Sequence, residues 1–214
     1  RAVEVFRGCP QVDSVVFRLV MHYDVDGREE PYAKGGSAFS ATTPTLTGYE
    51  AFRLSLDWTL HGLYMVRREL HLRYPYDDSY RLYSDDNTTR LHYLHSREVG
   101  FCEGIYYYRQ HASSTTTAIT PQRFLYMMAN LSMKQTLERE GVPADVRAEY
   151  EGHRWQNYVG QLWLYFGHKG LFTPSERNRI RLQFRSVYRT FKKIIPFAVT
   201  YAEQWLRWRT KKYR

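Results

Sequence analysis

At Pro121 the chain changes character, and that change limits its fold more than any other feature. Before it, short β-branched and aromatic runs alternate with turn signals and short helical stretches. After it, the apolar residues recur almost wholly at helical spacing up to Arg214. The pattern predicts an α/β unit over residues 1–120, followed by a basic helical extension over 121–214. With 214 residues the chain can bury a full core, and 43% apolar and 25% charged residues are ordinary globular usage.

Several elements can be placed from local chemistry. Residues 1–9 read as the end of a helix, closed at Cys9-Pro10. Val12 to Val20 reads as a strand. His22-Tyr23-Asp24-Val25-Asp26-Gly27 follows, and Asp-Gly predicts a hairpin turn because glycine accepts positive φ. Asp24-Val25-Asp26 also has the acid-x-acid pattern that can face a hard cation, but its position after a strand and before Gly27 is that of a solvated turn. The segment Pro31–Thr47, rich in Gly, Ser, Thr and Pro, reads as a flexible connection or lid. Thr47 and Glu50 make a capping box for a helix over Gly48–Leu56. Gly62–Leu70 predicts a short strand running into a turn, with Arg67-Arg68-Glu69 as a surface charge run. Asp86–Arg97 reads as a helix on which His92 and His95 are solvent-exposed. A strand ending at Glu103-Gly104 is followed by a second short strand over Ile105–Tyr108. Thr120-Pro121 starts the helical part, Val142-Pro143 interrupts it, a second helix covers Ala144–Phe166 and closes at Gly167 and Gly170, and Thr173 to Glu176 starts a third.

The net charge of +9 implies an anionic partner: nucleic acid, acidic lipid or a phosphorylated substrate. No helix-turn-helix, RNP or zinc pattern supports nucleic acid. Between basic clusters, Ile194 to Val199 with Trp205 and Trp208 suit the headgroup layer of an anionic membrane; a helix packed on its own domain with a solvated charged face explains the same pattern. The two cysteines, Cys9 and Cys102, have no metal-ligand spacing and fit a reducing compartment. The 19 tyrosines supply stacking faces with hydroxyls, which suit sugars and nucleotides.

The chemistry concentrates between Tyr83 and Thr115. Asp85 and Asp86 are neighbouring carboxylates at an element boundary. They can serve as a general base and its companion, or as first-turn acids of a helix started by Ser84. Tyr106-Tyr107-Tyr108-Arg109-Gln110-His111 comes next. Strand alternation sets Tyr106 and Tyr108 on one face and Tyr107 on the other. Arg109 can pair with phosphate or with the acidic pair Asp85-Asp86, and His111 can contact a diphosphate or ligate a metal.

Taken in order, GYEAFRLSLDW, GLYMVRREL, YSDDNTTRL and EVGFCEGIYYYRQHASST resemble the acceptor-side half of a family 2 glycosyltransferase, over about Thr47 to Thr117. The resemblance implies a GT-A fold, here the C-terminal half of its mixed sheet with flanking helices, a nucleotide-sugar donor, a glycan or lipid-linked acceptor, and an inverting displacement assisted by Mg²⁺ or Mn²⁺. It implies that Asp85 or Asp86 is the base, that Arg109 and His111 serve the donor diphosphate or its metal, and that Trp58 and Tyr64 line the acceptor side. The family commonly carries Glu-Asp where this chain has Ser84-Asp85-Asp86. Its nucleotide-binding half, with the metal-binding acid-x-acid motif, is expected ahead of Arg1. The sequence therefore reads as the acceptor-side piece of a longer enzyme of cell-surface polysaccharide synthesis, inactive alone. The enzyme is expected in the cytoplasm at the inner membrane face. The rival expectation is a non-enzymatic basic helical module that binds anionic membrane or nucleic acid.

Overall fold

The structure is a computed structural model that describes residues 1–34, 39–111 and 118–191, except for the side chains of Asp78 and Arg81. It is an α/β fold in which a mixed, open five-stranded sheet is flanked by helices. Helix α1 (Ala2–Gly8) leads into the central strand β1 (Val12–Tyr23). On one side β1 pairs in parallel with β5 (Glu98–Gln110), whose other edge meets the short β3 (Leu46–Thr47) antiparallel. On its other side β1 pairs antiparallel with β4 (Tyr64–Val66) and then with β2 (Glu29–Pro31). The first half of β1 is buried without alternation, from Val12 through Val16. That is the signature of a strand covered on both faces.

The turn after β1 forms as its sequence predicts. Gly27 has φ +68, its N–H donates to the Tyr23 carbonyl at 2.8 Å, and Tyr23 N–H donates to Arg28 at 2.9 Å. The capping box before α2 (Gly48–Ser55) also forms, with Thr47 Oγ1 accepting from Glu50 N–H at 3.2 Å and Glu50 accepting from Thr47 N–H at 2.8 Å.

Three local expectations are corrected. The two strands expected across Glu98–Tyr108 are one 13-residue strand. The register passes from Val16↔Phe101 to Arg18↔Ile105, so β5 carries extra residues opposite Phe17 and absorbs Glu103-Gly104 as a bulge instead of ending there. After β4 the chain forms helix α3 (Arg68–Arg73), not a turn. Arg67 is not part of a surface run: its guanidinium donates to the carbonyls of Val12 (2.8 Å), Pro10 (3.3 Å) and Phe6 (3.4 Å), which ties the α1–β1 corner to β4.

Helix α4 (Ser84–His95) follows a 3₁₀ turn over Asp78–Tyr83 without a break. The loop expected to be a lid is anchored beyond residue 38. The Phe39 ring stacks on Phe101 at 5.0 Å, and Ala41 N–H donates to Glu103 at 3.0 Å.

A 3₁₀ turn over Pro121–Leu125 opens the helical part, and Thr120 gives it no side-chain cap. Helices α5 (Tyr126–Arg139), α6 (Ala144–His168) and α7 (Pro174–Phe191) follow. α6 runs through Gly167, two residues past its expected end, because a 3₁₀ turn at Lys169–Leu171 continues it. Met133 and Leu137 of α5, with Val146 and Tyr150 of α6, share a core with Phe52, Leu60, Tyr93 and Val99. Further along, Tyr158 and Tyr165 of α6 pack with Phe124 and with Ile180, Phe184 and Phe191 of α7. The tail features expected at Ile194–Val199, Trp205 and Trp208 lie outside the described residues.

Candidate functional site

A cleft of about 200 Å³ opens near the C-terminal ends of the parallel strands β1 and β5. Leu19, Met21 and Tyr108 form its sheet side; Trp58 and the loop His61-Gly62-Leu63 form one wall; Asp85, Asp86 and Thr89 of α4 form another. Open α/β sheets bind ligands in this kind of place, outside the carboxyl ends of their strands.

α4 presents its site residues at helical spacing. Asp85, Asp86 and Thr89 face the cleft, while Tyr93, one turn on, donates its hydroxyl to the His61 carbonyl at 2.6 Å and fixes the opposite wall. The two acids occupy the first turn, where the helix dipole favours negative charge. Ser84 is not the cap: the N-cap position falls on Tyr83, which contributes no side-chain cap bond. Asp85 is exposed and Asp86 half-buried. Burial pushes the Asp86 carboxyl up to about 6; Arg90 opposes the rise and Asp85 adds to it.

Trp58 is the single non-glycine residue with positive φ (+67) among the described residues. A bulky residue there is strained, and strain of this kind persists only where the surroundings over-determine it. Tyr32 Oη donates to the Trp58 carbonyl at 3.0 Å, Lys34 Nζ to the Asp57 carbonyl at 2.5 Å, and the Asp57 carboxylate accepts from Thr59 N–H at 2.9 Å and Oγ1 at 3.0 Å. Beneath the indole lies Arg90, fully buried, its guanidinium 4.3 Å from the Trp58 ring centre and 5.7 Å from that of Tyr150. Arg90 Nε donates to the Ser55 carbonyl at 3.4 Å, and its buried Nη1 has no hydrogen-bond partner.

His61 is buried on the cleft wall. Desolvation lowers its pKa to about 4, against a backbone contact with Phe17 that raises it. Its Nδ1 accepts from Leu63 N–H at 3.2 Å, so the ring is a neutral imidazole at physiological pH.

Of the residues singled out by sequence, the cleft therefore gathers Asp85, Asp86 and Trp58. Tyr64 sits behind α4. Its hydroxyl bonds His92 Nδ1 at 2.5 Å, its ring packs 5.0 Å from Tyr93, and burial drives the phenol well above its ordinary value. Arg109 does not join the cleft. Its register partner is His22, while that of Tyr108 is Met21, so strand alternation sends Arg109 to the other face of the sheet. There its Nε donates to both oxygens of Asp24 at 2.7 and 2.9 Å. His111 follows the end of β5 and joins this group. The Arg109 bond first, then after a burial cost the charges of Arg109, His111 and His22, hold Asp24 below the usual carboxylate range.

The described residues do not by themselves form a cation site. Asp24 is engaged by Arg109 and Asp26 by Arg28, and among the described residues no group of three or more His, Cys, Asp or Glu could hold a metal. His92 is buried rather than exposed, held by Tyr64 and by the Tyr74 carbonyl at 2.8 Å; His95 pairs with Glu140 at 3.0 Å and stacks on Tyr74 at 4.2 Å.

Sequence reasoning missed Tyr32, His61, Thr89 and Arg90. Arg90 carried a usable signal, standing one helical turn after Asp86. His61 offered only its place beside Gly62 between a helix and a strand. No family model matches this chain, and no curated protein matches it.

Proposed function

We propose that the cleft is the acceptor side of an inverting glycosyltransferase site and that Asp86 is its general base. One observation carries the reading: a half-buried carboxyl, raised to about 6, shares a cleft with an exposed second carboxylate and with a strained tryptophan. A base acts best when its pKa lies near the working pH. Asp86 is mostly ionised at neutral pH, yet more basic than an ordinary aspartate. At about 200 Å³ the cleft falls below the roughly 300–1,000 Å³ of drug-sized pockets, which suits one ring of a larger acceptor.

On this reading the indole of Trp58 offers an apolar face to a sugar ring, with Arg90 beneath it. Asp86 takes the proton of the acceptor hydroxyl as that oxygen forms a bond to the anomeric carbon. The bond from that carbon to the diphosphate oxygen breaks on the opposite face, and the diphosphate leaves with the electron pair. Asp85, at the rim, accepts a hydrogen bond from a neighbouring hydroxyl. No step is assigned to a metal. The resemblance over Thr47–Thr117 supplies the rest of the proposal: a GT-A-like sheet, a nucleotide-sugar donor, a glycan or lipid-linked acceptor, and work at the inner face of a membrane in cell-surface polysaccharide synthesis. Arg109 and His111, on the far side of the sheet, are given no part in the transfer.

The test uses the full-length protein, a panel of nucleotide-sugars and glycan or lipid-linked acceptors. Wild type transfers sugar with inversion. Asp86→Asn lowers kcat at least about 100-fold with a native circular dichroism spectrum, the size of a lost general base. Transfer retained in Asp86→Asn removes Asp86 as base, and absence of any nucleotide-sugar binding removes the enzyme reading.

A further inference from the structure

A groove of about 640 Å³ between α6 and α7 is larger than the cleft. Its floor is apolar: Leu162, Tyr165 and Phe166 from α6, Phe184 from α7. Its rim is cationic. Arg177, Arg181 and Arg185 stand at i, i+4 and i+8 on α7, with Lys169 opposite, and among the described residues no acidic side chain lines the groove. Like charges at this spacing destabilise a helix. Among the described residues none of the three arginines forms an ion pair. Beside the groove, Phe166 and Trp163 are each 42% exposed and Leu171 is 68% exposed.

We infer that the α6–α7 groove seats on the headgroup–acyl boundary of an anionic bilayer. Apolar side chains bordered by long cations fit that boundary, because the rings bury among acyl chains while the guanidinium groups stay with the phosphates. Charge complementarity selects the occupant. A second copy would bring the same positive rim. The segment 192–214 of this chain carries seven Lys and Arg but one acid, Glu203, and so has the sign of the rim itself. Its composition suits the same kind of anionic surface, and two weak attachments together bind far better than either. The inference needs no sugar chemistry and stands apart from the proposed transferase.

The experiment measures co-sedimentation of the full chain with phosphatidylcholine vesicles and with vesicles doped with phosphatidylglycerol, over a range of salt. Wild type binds the doped vesicles selectively, and binding weakens with salt. The triple variant Arg177→Gln, Arg181→Gln, Arg185→Gln keeps segment 192–214 but loses about 100-fold in affinity, at roughly fivefold per cation near the surface. Because a triple variant can unfold, a second reading uses the tryptophan emission shift on vesicle binding, part of which disappears in Trp163→Phe. Unchanged vesicle affinity in a folded triple variant overturns the inference, as does a Trp163 contribution that is absent. Binding to duplex RNA or DNA with none to doped vesicles, or a dimer lost in the triple variant with no vesicle binding, also overturns it.

Discussion

The guanidinium of Arg90 lies 4.3 Å from the ring centre of Trp58, and both belong to the architecture around Asp86. Asp86 stands four residues before Arg90 on α4, and Arg90 is the positive charge that restrains its pKa. One buried cation thus supports an aromatic wall and keeps a carboxylate ionisable. Replacing it by the apolar, similarly long methionine separates these roles.

In Arg90→Met the Asp86 midpoint rises above about 6, because the opposing charge is gone while burial and Asp85 remain. The titration is followed by carbon NMR of the carboxyl. Stability falls by only about 1–2 kcal/mol: the cation–π contacts are lost, but so is a buried charge with an unpaired Nη1. An unmoved Asp86 midpoint would separate Arg90 from the acid pair.

Asp86 itself should cost the fold stability at neutral pH. Below the ordinary value of 3.8 its carboxyl is neutral in folded and unfolded chains alike. Between 3.8 and about 6 the folded chain keeps a proton that the unfolded chain has released, so stability falls as pH rises through this window. Above it the full cost is present. Asp86→Asn is therefore more stable than wild type near neutrality, by about 1–2 kcal/mol after discounting for the water that reaches a half-buried group. The gain vanishes in urea melts carried out below 3.8. A variant that is more stable yet inactive is the expected mark of a residue held for chemistry.

Local rules read well where local chemistry decides. The Thr47–Glu50 box and the Thr173 start of α7 follow from side-chain bonds within three residues, and the Gly27 turn from glycine's access to positive φ. The rules failed where partners are distant. Glu103-Gly104 looks like a strand end, but continuous pairing to β1 carries β5 through it. His92 looks solvated, but Tyr64 and Tyr74 bury it from 28 and 18 residues away. At the site, Asp85, Asp86 and Trp58 were visible as residue types. The strain at Trp58 and the buried Arg90 below it were not, since both depend on how the segment around residue 58 meets α4. The alternation that turns Arg109 away from the cleft needed the β1–β5 register, which no single strand contains.

Close approach makes Gly48 a sensitive position. A Cβ built there would lie 1.9 Å from the Ser96 carbonyl oxygen and 2.5 Å from that of Tyr93, both backbone atoms that cannot swing aside. This is where α2 begins against the end of α4. Gly48→Ala should therefore cost about 3 kcal/mol or more through overpacking, although alanine is the better helix former. A thermal melt within a degree or two of wild type would mean that the two backbones are not in contact.

The last prediction concerns the Asp13 cluster that holds β1 to the end of α4. Burial alone would raise the Asp13 carboxyl, but the side-chain and backbone bonds from Arg97 and the charges of Arg97 and Arg67 outweigh it and lower the pKa below 3.8. Arg97 donates to Asp13 from its backbone N–H and Nε, both at 2.9 Å, and from Nη2 at 2.7 Å. A depressed acid stabilises the fold above its ordinary value, and that contribution is lost as pH falls through the lower, folded value. Asp13→Asn should cost about 2–3 kcal/mol near neutrality, since three donors lose a charged acceptor while Arg97 remains half exposed to water. The gap between variant and wild type should narrow steadily in acid below 3.8. This is opposite in sign to Asp86→Asn, so equilibrium melts of the two variants over one pH series test both assignments together, and a cost for Asp13→Asn that does not change in acid would show packing, not charge, to be what Asp13 contributes.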